Sequence, residues 1–183
     1  MKFIETPFEG LWVIEPEIRS DARGFLTRMF CKNEFSKINF DQEFVQENLT
    51  LTKTKGTFRG FHYQLQPFSE KKLVRCISGK VIDIVIDLRK NSTTFLKSFS
   101  LELDSEKLNM ILIPEGFAHG FQSLTDNCLM LYLHTNFYNA QYERGINMRD
   151  PNIKFSLPLP IKEISERDKN HPFINLNNEE NIL

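Results

Sequence analysis

Apolar and polar residues alternate with a period of two through most of the middle of the chain, the spacing of half-buried strands. In "KLVRCISGKVIDIVIDLRK", residues 72–90, two apolar runs are split by Ser78-Gly79, which reads as a hairpin turn. Along the second run Val81, Asp83, Val85 and Asp87 alternate with Ile82, Ile84, Ile86 and Leu88. That predicts a partly polar face opposite a buried isoleucine face. "FLKSFSLELD" alternates likewise and ends at the charged turn "DSEK"; "MILIPEGFAHGFQSL" and "CLMLYLHT" add strands, with a break at Pro114 to Gly116. Helix is scarce: "KNEFSKI" is the best short candidate, and the tail after Ile161 has room for another, while the last residues, "NLNNEENIL", read as frayed. Many short strands separated by turns argue for a mainly β fold, an antiparallel sandwich or barrel with a few short helices.

One strand-like stretch breaks the pattern. "GTFRGFHYQ", residues 56–64, sets Arg59 and His62 in an otherwise apolar run. Three residues apart on a regular strand, they fall on opposite faces unless Gly60 kinks the chain.

Composition narrows the class. The chain has 183 residues, 40% hydrophobic and 26% charged, which suits one domain over residues 1–183 with a single sizeable core. Seventeen phenylalanines against one tryptophan point to a core of flat side chains. A net charge of -1 gives no electrostatic case for nucleic acid or a membrane surface as partner. No apolar run approaches the ~20 residues of a spanning helix, and Glu5 and Pro7 interrupt the place where a signal peptide would need its apolar stretch. Cys31, Cys76 and Cys128 are too widely spaced for a zinc cluster; the last two read as small hydrophobes in strands. The expectation is a soluble cytoplasmic protein.

Of the four histidines, His134 and His171 read as ordinary partly buried, hydrogen-bonded side chains. His62 and His119 lie beside glycines, in "RGFHYQ" and "PEGFAHGF", where backbone or ligand can approach closely. The spacing Pro114-x-Gly116-x-x-His119 resembles the second motif of the cupin β-barrels. A metal-binding cupin also needs a His-x-His pair and a glutamate in its first motif, whereas here His62 is followed by Gln64. One imidazole plus a second distant one is too few ligands, so a metal-free barrel is expected.

Four segments taken together carry a closer likeness. "DARGFL" (21–26), "VQENLTLTKTKGTFRGFHYQ" (45–64), "KLVRCISGKVIDIVIDLR" (72–89) and "IPEGFAHGFQSL" (113–124) resemble the nucleotide-sugar 3,5-epimerases, over about residues 4–168. The resemblance implies a cupin-type antiparallel β-barrel, or jelly roll, without cofactor. It implies an isomerase that inverts carbons 3 and 5 beside a carbon-4 ketone, in surface polysaccharide synthesis (capsule or lipopolysaccharide). Such a reaction needs a base, an enolate stabiliser and an acid on the far side. By resemblance, His62 is the base, Asp168 its hydrogen-bonded carboxylate, Lys72 the cation facing the carbon-4 oxygen and Tyr132 the opposing proton donor. Gln46, Asn48, Arg59, His119, Tyr138, Glu143 and Arg167 fall at positions that contact the sugar or diphosphate. Arg23 and Phe25 match residues lent by a neighbouring subunit, implying a homodimer with shared sites.

The chain also departs from that pattern. Arg28 stands where the rhamnose-pathway enzymes carry a glutamate for the thymine end, so an acceptor is replaced by a donor. Met148, Arg149 and Leu157 replace a tryptophan, an acidic or amide residue and a second tryptophan, and Arg167 replaces a lysine. Arginine is the usual partner of the guanine O6 and N7 acceptors, which raises GDP, on a 4-keto-heptose, as the nucleotide in place of dTDP; neutral drift at an exposed base pocket is the alternative. Epimerisation of carbon 3 alone, movement of the ketone between carbons 3 and 4, and a catalytically silent sugar-nucleotide binder stay open beside the full reaction. A metal-dependent oxygenase lacks ligands.

Overall fold

The computed structural model describes residues 1–176. Nearly all of the C-terminal stretch expected to fray therefore lies outside the described residues. In chain order the strands are β1 (Lys2–Glu5), β2 (Trp12–Glu15), β3 (Ile18–Asp21), β4 (Gly24–Thr27), β5 (Gln46–Thr52), β6 (Thr57–Gln64) and β7 (Lys72–Ser78). They continue as β8 (Lys80–Asp87), β9 (Ser98–Asp104), β10 (Met110–Ile113), β11 (Phe117–Ser123), β12 (Cys128–His134), β13 (Glu143–Gly145) and β14 (Glu163–Ile164). The helices are single turns, α1 (Lys32–Phe35), within "KNEFSKI", and α2 (Glu166–Lys169), in the tail after Ile161. No helix among the described residues is long and apolar enough to cross a membrane.

Two sheets face each other as a jelly roll. One runs β1-β2-β10-β7-β12-β5, the other β13-β6-β11-β8-β9, with β14 beside β6; β3 and β4 form a separate two-stranded hairpin. Ser78-Gly79 is not a hairpin turn, because β7 and β8 pair with different strands in different sheets. The link is a corner. Gly79 has φ +82°, and a Cβ there would stand 2.4 Å from Thr125 Oγ1 and 2.9 Å from Cys128 Sγ, so only glycine fits.

The apolar residues form three clusters where one core was expected. Val74, Cys76, Val81, Val85, Ile111, Phe121, Cys128 and Met130 fill the space between the sheets. Phe58, Phe61, Tyr63, Ile84, Ile86 and Leu88 lie on the outer face of the second sheet, covered by Ile146, Ile153 and Ile174 of the C-terminal segment. A third cluster sits where residues around α1 cover the first sheet, with Phe35 edge-on to Phe3 at 5.3 Å and to Phe40 at 5.6 Å. Both faces of β8 are thus buried. The valine face carrying Asp83 and Asp87, both 0% exposed, points between the sheets and is not a polar surface. Asp87 is paid for by Arg89, Ser92 and Thr94, each within 3.0 Å of its carboxylate.

A β-bulge resolves the anomaly of β6. Opposite β11, His62 pairs with His119 and Arg59 with Phe121, so three steps along β6 match two along β11. The extra residue shifts the strand's phase. Phe58, Phe61 and Tyr63 share the outer cluster, and Arg59 and His62 both line the same cavity. The crossing at the bulge is tight: a Cβ on Gly60 would lie 2.5 Å from Gly120 Cα, and one on Gly120 would lie 2.8 Å from the Arg59 carbonyl oxygen. Gly60 also has φ +130°, a conformation L side chains rarely adopt. Gly60→Ala should therefore cost at least about 2 kcal/mol from strain and overpacking together, read as a lowered urea midpoint with an unchanged m-value.

Candidate active site

The bulge leaves one backbone N–H pointing out of the ladder, and Asp168 takes it. Gly60 N–H donates to Asp168 Oδ2 at 2.9 Å, while Asp168 Oδ1 lies 2.9 Å from His62 Nε2. Asp168 is delivered by α2, whose N-cap Ser165 accepts the Asp168 amide at 3.0 Å. Its side chain is 6% exposed. Burial pushes the pKa up, but the His62 and Gly60 hydrogen bonds outweigh it and hold the carboxyl at about 2. An ionised carboxylate only accepts, so His62 Nε2 carries the proton and Nδ1 is left as the basic nitrogen. Neither Asp168 nor Lys72 is an exposed ion-pair residue: their side chains are 6% and 11% exposed.

This dyad opens into a cavity of about 400 Å³ between the two sheets, within the range of small-molecule sites. His62, Arg59 and His119 come from β6 and β11, whereas Lys72 and Tyr132 come from β7 and β12 of the facing sheet. Lys72 Nζ lies 3.1 Å from Glu70 Oε1. His119 Nε2 lies 2.7 Å from Asp83 Oδ2, and its ring meets Tyr132 edge-on at 5.9 Å. Burial pushes the Tyr132 phenol far above its ordinary range, with the Asp83 charge adding to the effect. Tyr132 therefore keeps its proton. Arg59 stands at the exposed mouth, its Nε donating to Thr52 Oγ1 at 3.1 Å.

The rim is a chain of polar contacts. Gln46 Nε2 donates to Asn48 Oδ1 at 3.4 Å, Gln46 Oε1 accepts the Tyr138 amide at 2.9 Å, and Tyr138 Oη donates to Glu143 Oε2 at 2.8 Å. Glu143 in turn pairs with Arg167. The structure thus brings these residues into one cavity with the dyad, and it leaves three of the sequence candidates out. Arg23, Phe25 and Arg28 sit on or just past the β3–β4 hairpin, away from the cavity of their own chain. Arg23 pairs with Asp21 at 2.6 Å, Phe25 is 60% exposed, and Arg28 Nη1 donates to Glu34 at 2.8 Å.

Sequence reasoning missed several neighbours. His134, read as an ordinary buried histidine, is buried and hydrogen-bonded but also lines the cavity, its Nδ1 3.1 Å from Glu70 Oε2. His171 lies behind His62, rings edge-on at 5.4 Å, in a space that exists because residue 145 is glycine. Burial lowers its pKa, with the neighbouring His62 adding to the effect. The imidazoles are not distant from one another either: His62 and His119 are cross-strand partners, and His62, Asp168 and His171 hold ligand-type atoms within 4.8 Å. Asp83 shares a strand face with valines and Glu70 stands two residues before Lys72, spacings that place each with its neighbours but do not show what faces them; His171 left no such signal, because only the fold brings it to His62.

The fold and the cavity have close counterparts among known proteins. A family model described as dTDP-4-dehydrorhamnose 3,5-epimerase matches residues 5–175. The chain belongs to the dTDP-4-dehydrorhamnose 3,5-epimerase family. It is 40% identical to the enzyme of that name from Shigella flexneri over 171 residues, 93% of this chain and 94% of the relative. It superposes with TM-score 0.92 on a Legionella pneumophila dTDP-6-deoxy-D-glucose-3,5-epimerase solved with dTDP-4-keto-L-rhamnose, at 33% identity and covering 99% and 96% of the two chains. A Streptomyces bikiniensis 3'-monoepimerase, solved with dTDP-quinovose, gives 0.84 at 31% identity over 92% and 85%. The members are carbohydrate epimerases, and so is this chain.

Asp168 also ties the dyad to stability. Its pKa falls on folding from the ordinary 3.8 to about 2, so its ionised form stabilises the fold fully above about pH 4. That contribution, roughly 2 to 3 kcal/mol, is lost as the pH falls through about 2. Asp168→Asn should flatten the acid limb of a stability–pH curve measured by urea unfolding between pH 2 and 5.

Proposed function

We propose that the chain inverts carbons 3 and 5 of a dTDP-linked 4-keto-6-deoxyhexose, on the way to a surface polysaccharide and in the cytoplasm. The observation that carries this reading is the placing of His62, with Asp168 of α2 beside it, on one sheet and of Lys72 and Tyr132 on the facing one, across a single cavity. The carbon-4 ketone acidifies the neighbouring C–H bonds. His62 Nδ1 takes the proton, the C–H electron pair moves into the enolate, and the charge on the carbon-4 oxygen falls to Lys72. Tyr132, protonated and on the other wall, returns a proton to the opposite face of the same carbon; exchange with solvent resets both groups. Arg59 at the mouth suits a two-pronged grip on diphosphate.

The base expectation shifts from guanine to thymine. The relatives are named for dTDP sugars, and Arg28 has one arm committed to Glu34, which weakens the case for a free guanidinium fork. Reaction at carbon 3 alone stays as the second reading, because a 3'-monoepimerase shares the fold. Incubation in D2O with dTDP-4-keto-6-deoxyglucose and with a GDP-4-keto-heptose tests both points. Deuterium should enter carbons 3 and 5 of the dTDP sugar, with the GDP sugar turned over more slowly. His62→Ala should slow exchange by about 10²–10⁴-fold. Exchange unchanged in that variant would remove His62 as the base, and deuterium confined to carbon 3 would favour the second reading.

We also propose a homodimer. The outer face of β5 and β7 leaves Leu49 60%, Leu51 45% and Ile77 42% exposed, and the β3–β4 hairpin leaves Leu26 73% exposed beside Phe25. Such a surface fits a second copy, whose cavity would then receive Arg23, Phe25 and Arg28. Leu49→Glu with Leu51→Glu should convert the dimer to monomer in sedimentation. KM should rise more than kcat falls, because the dyad stays in its own chain.

A further inference from the structure

Lys72 does not stand alone in the cavity. Its Nζ is held at 3.1 Å by Glu70 Oε1, with side-chain exposures of 11% and 6%. The other oxygen of the same carboxylate accepts from Gln64 Nε2 at 3.2 Å and meets His134 Nδ1 at 3.1 Å. Burial opposes the Glu70 charge, but Lys72 and His134 beside it keep its carboxyl below the ordinary value. A carboxylate only accepts, so His134 must present N–H at Nδ1. Its Nε2 then faces the Asn48 Nδ2 amide donor at 3.2 Å as an acceptor. The strand register explains why these groups meet: His134 is the cross-strand partner of Lys72 in β7 and of Gln46 in β5. One run of contacts therefore crosses three adjacent strands, from Lys72 through Glu70 and His134 to Asn48.

The geometry points to Glu70 and His134 as positioning residues: together they fix the Lys72 ammonium at the carbon-4 oxygen and the Asn48 amide at the sugar's edge. The inference rests on the reading of Lys72 as the enolate stabiliser. A lysine ammonium is a point charge on a flexible four-carbon stem, and a charge stabilises a developing oxyanion best when it is already in place before the proton leaves. Glu70 supplies that fixed point. Its neutral isostere cannot, because glutamine offers one acceptor oxygen and one NH2 group to three donors, Lys72, Gln64 and His134, so a contact turns donor against donor unless the His134 ring changes tautomer.

A double-mutant cycle tests the assignment, using D2O exchange into dTDP-4-keto-6-deoxyglucose by the full chain. Glu70→Gln should lower kcat at least about tenfold and leave KM within about threefold, and Glu70→Asp should recover part of the loss. With Lys72→Met already present, Glu70→Gln should cost less than about twofold. An equal cost with and without Lys72, or no cost at all, overturns the inference. A second readout needs no turnover: 15N NMR of His134 should show the Nδ1–H tautomer in the unaltered protein and its loss in Glu70→Gln. An Nε2–H tautomer in the unaltered protein overturns the inference. Absence of exchange by the unaltered protein would instead defeat the proposed function, and the tautomer alone would then decide the positioning pair.

Discussion

The site depends on one carboxylate with two tasks. Asp168 satisfies the Gly60 amide that the β6 bulge expels from the ladder, and it fixes the tautomer of His62. The two tasks are physically linked. A regular strand would turn Arg59 and His62 to opposite faces; the bulge turns them to the same face but leaves a buried N–H that costs free energy unless paired. The group that pairs it is the group that makes His62 Nδ1 basic. The geometry of the strand and the chemistry of the histidine thus share a single partner, brought from more than a hundred residues away by α2.

The facing sheet solves a different problem, that of holding a cation ready in the wall of an open cavity. Lys72 comes from β7, and beside it β12 supplies His134, with Glu70 bridging the two. Tyr132 is two residues from His134 on the same strand and so lines the same wall. Strand alternation guarantees that arrangement: residues two apart share a face. The cavity wall is therefore largely polar, while Val74, Val85 and Met130 pack in the apolar core between the same two sheets.

Much of the fold could be read from the period of two. The strands from residue 72 to residue 134, the break at Pro114 to Gly116 and the scarcity of helix all follow from local pattern. The corner at Gly79 could not be read that way. A tight turn and a sheet-to-sheet corner both ask for glycine, and the difference lies in which distant strands pair with each side. The burial of Asp83 and Asp87 was hidden for a similar reason, since alternation gives two faces but not what covers them. For the site, the roles of His62, Lys72, Tyr132 and Asp168 came from resemblance to a family, because each residue taken singly reads as ordinary. Glu70 stands two residues before Lys72, but its contact with His134 is made by strand register, and His171 meets His62 only through a C-terminal segment folded back on β6. Met148 and Leu157, which depart from the family pattern, pack on the outer cluster, so those departures are matters of packing and not of the cavity.

The proposed assignment of acid and base rests on how burial acts on two groups with different partners. Asp168 is buried but pulled down to about 2 by donors aimed at it, and Tyr132 is buried and pushed up by the Asp83 charge as well as by desolvation. Each shift locks one protonation state: an anion behind His62, a neutral phenol across the cavity. A site whose walls hold a proton acceptor on one side and a proton on the other is set for moving hydrogen between the two faces of a carbon. Inversion is the reaction that such an asymmetric pair performs, and the sheet-to-sheet architecture is what keeps the pair apart.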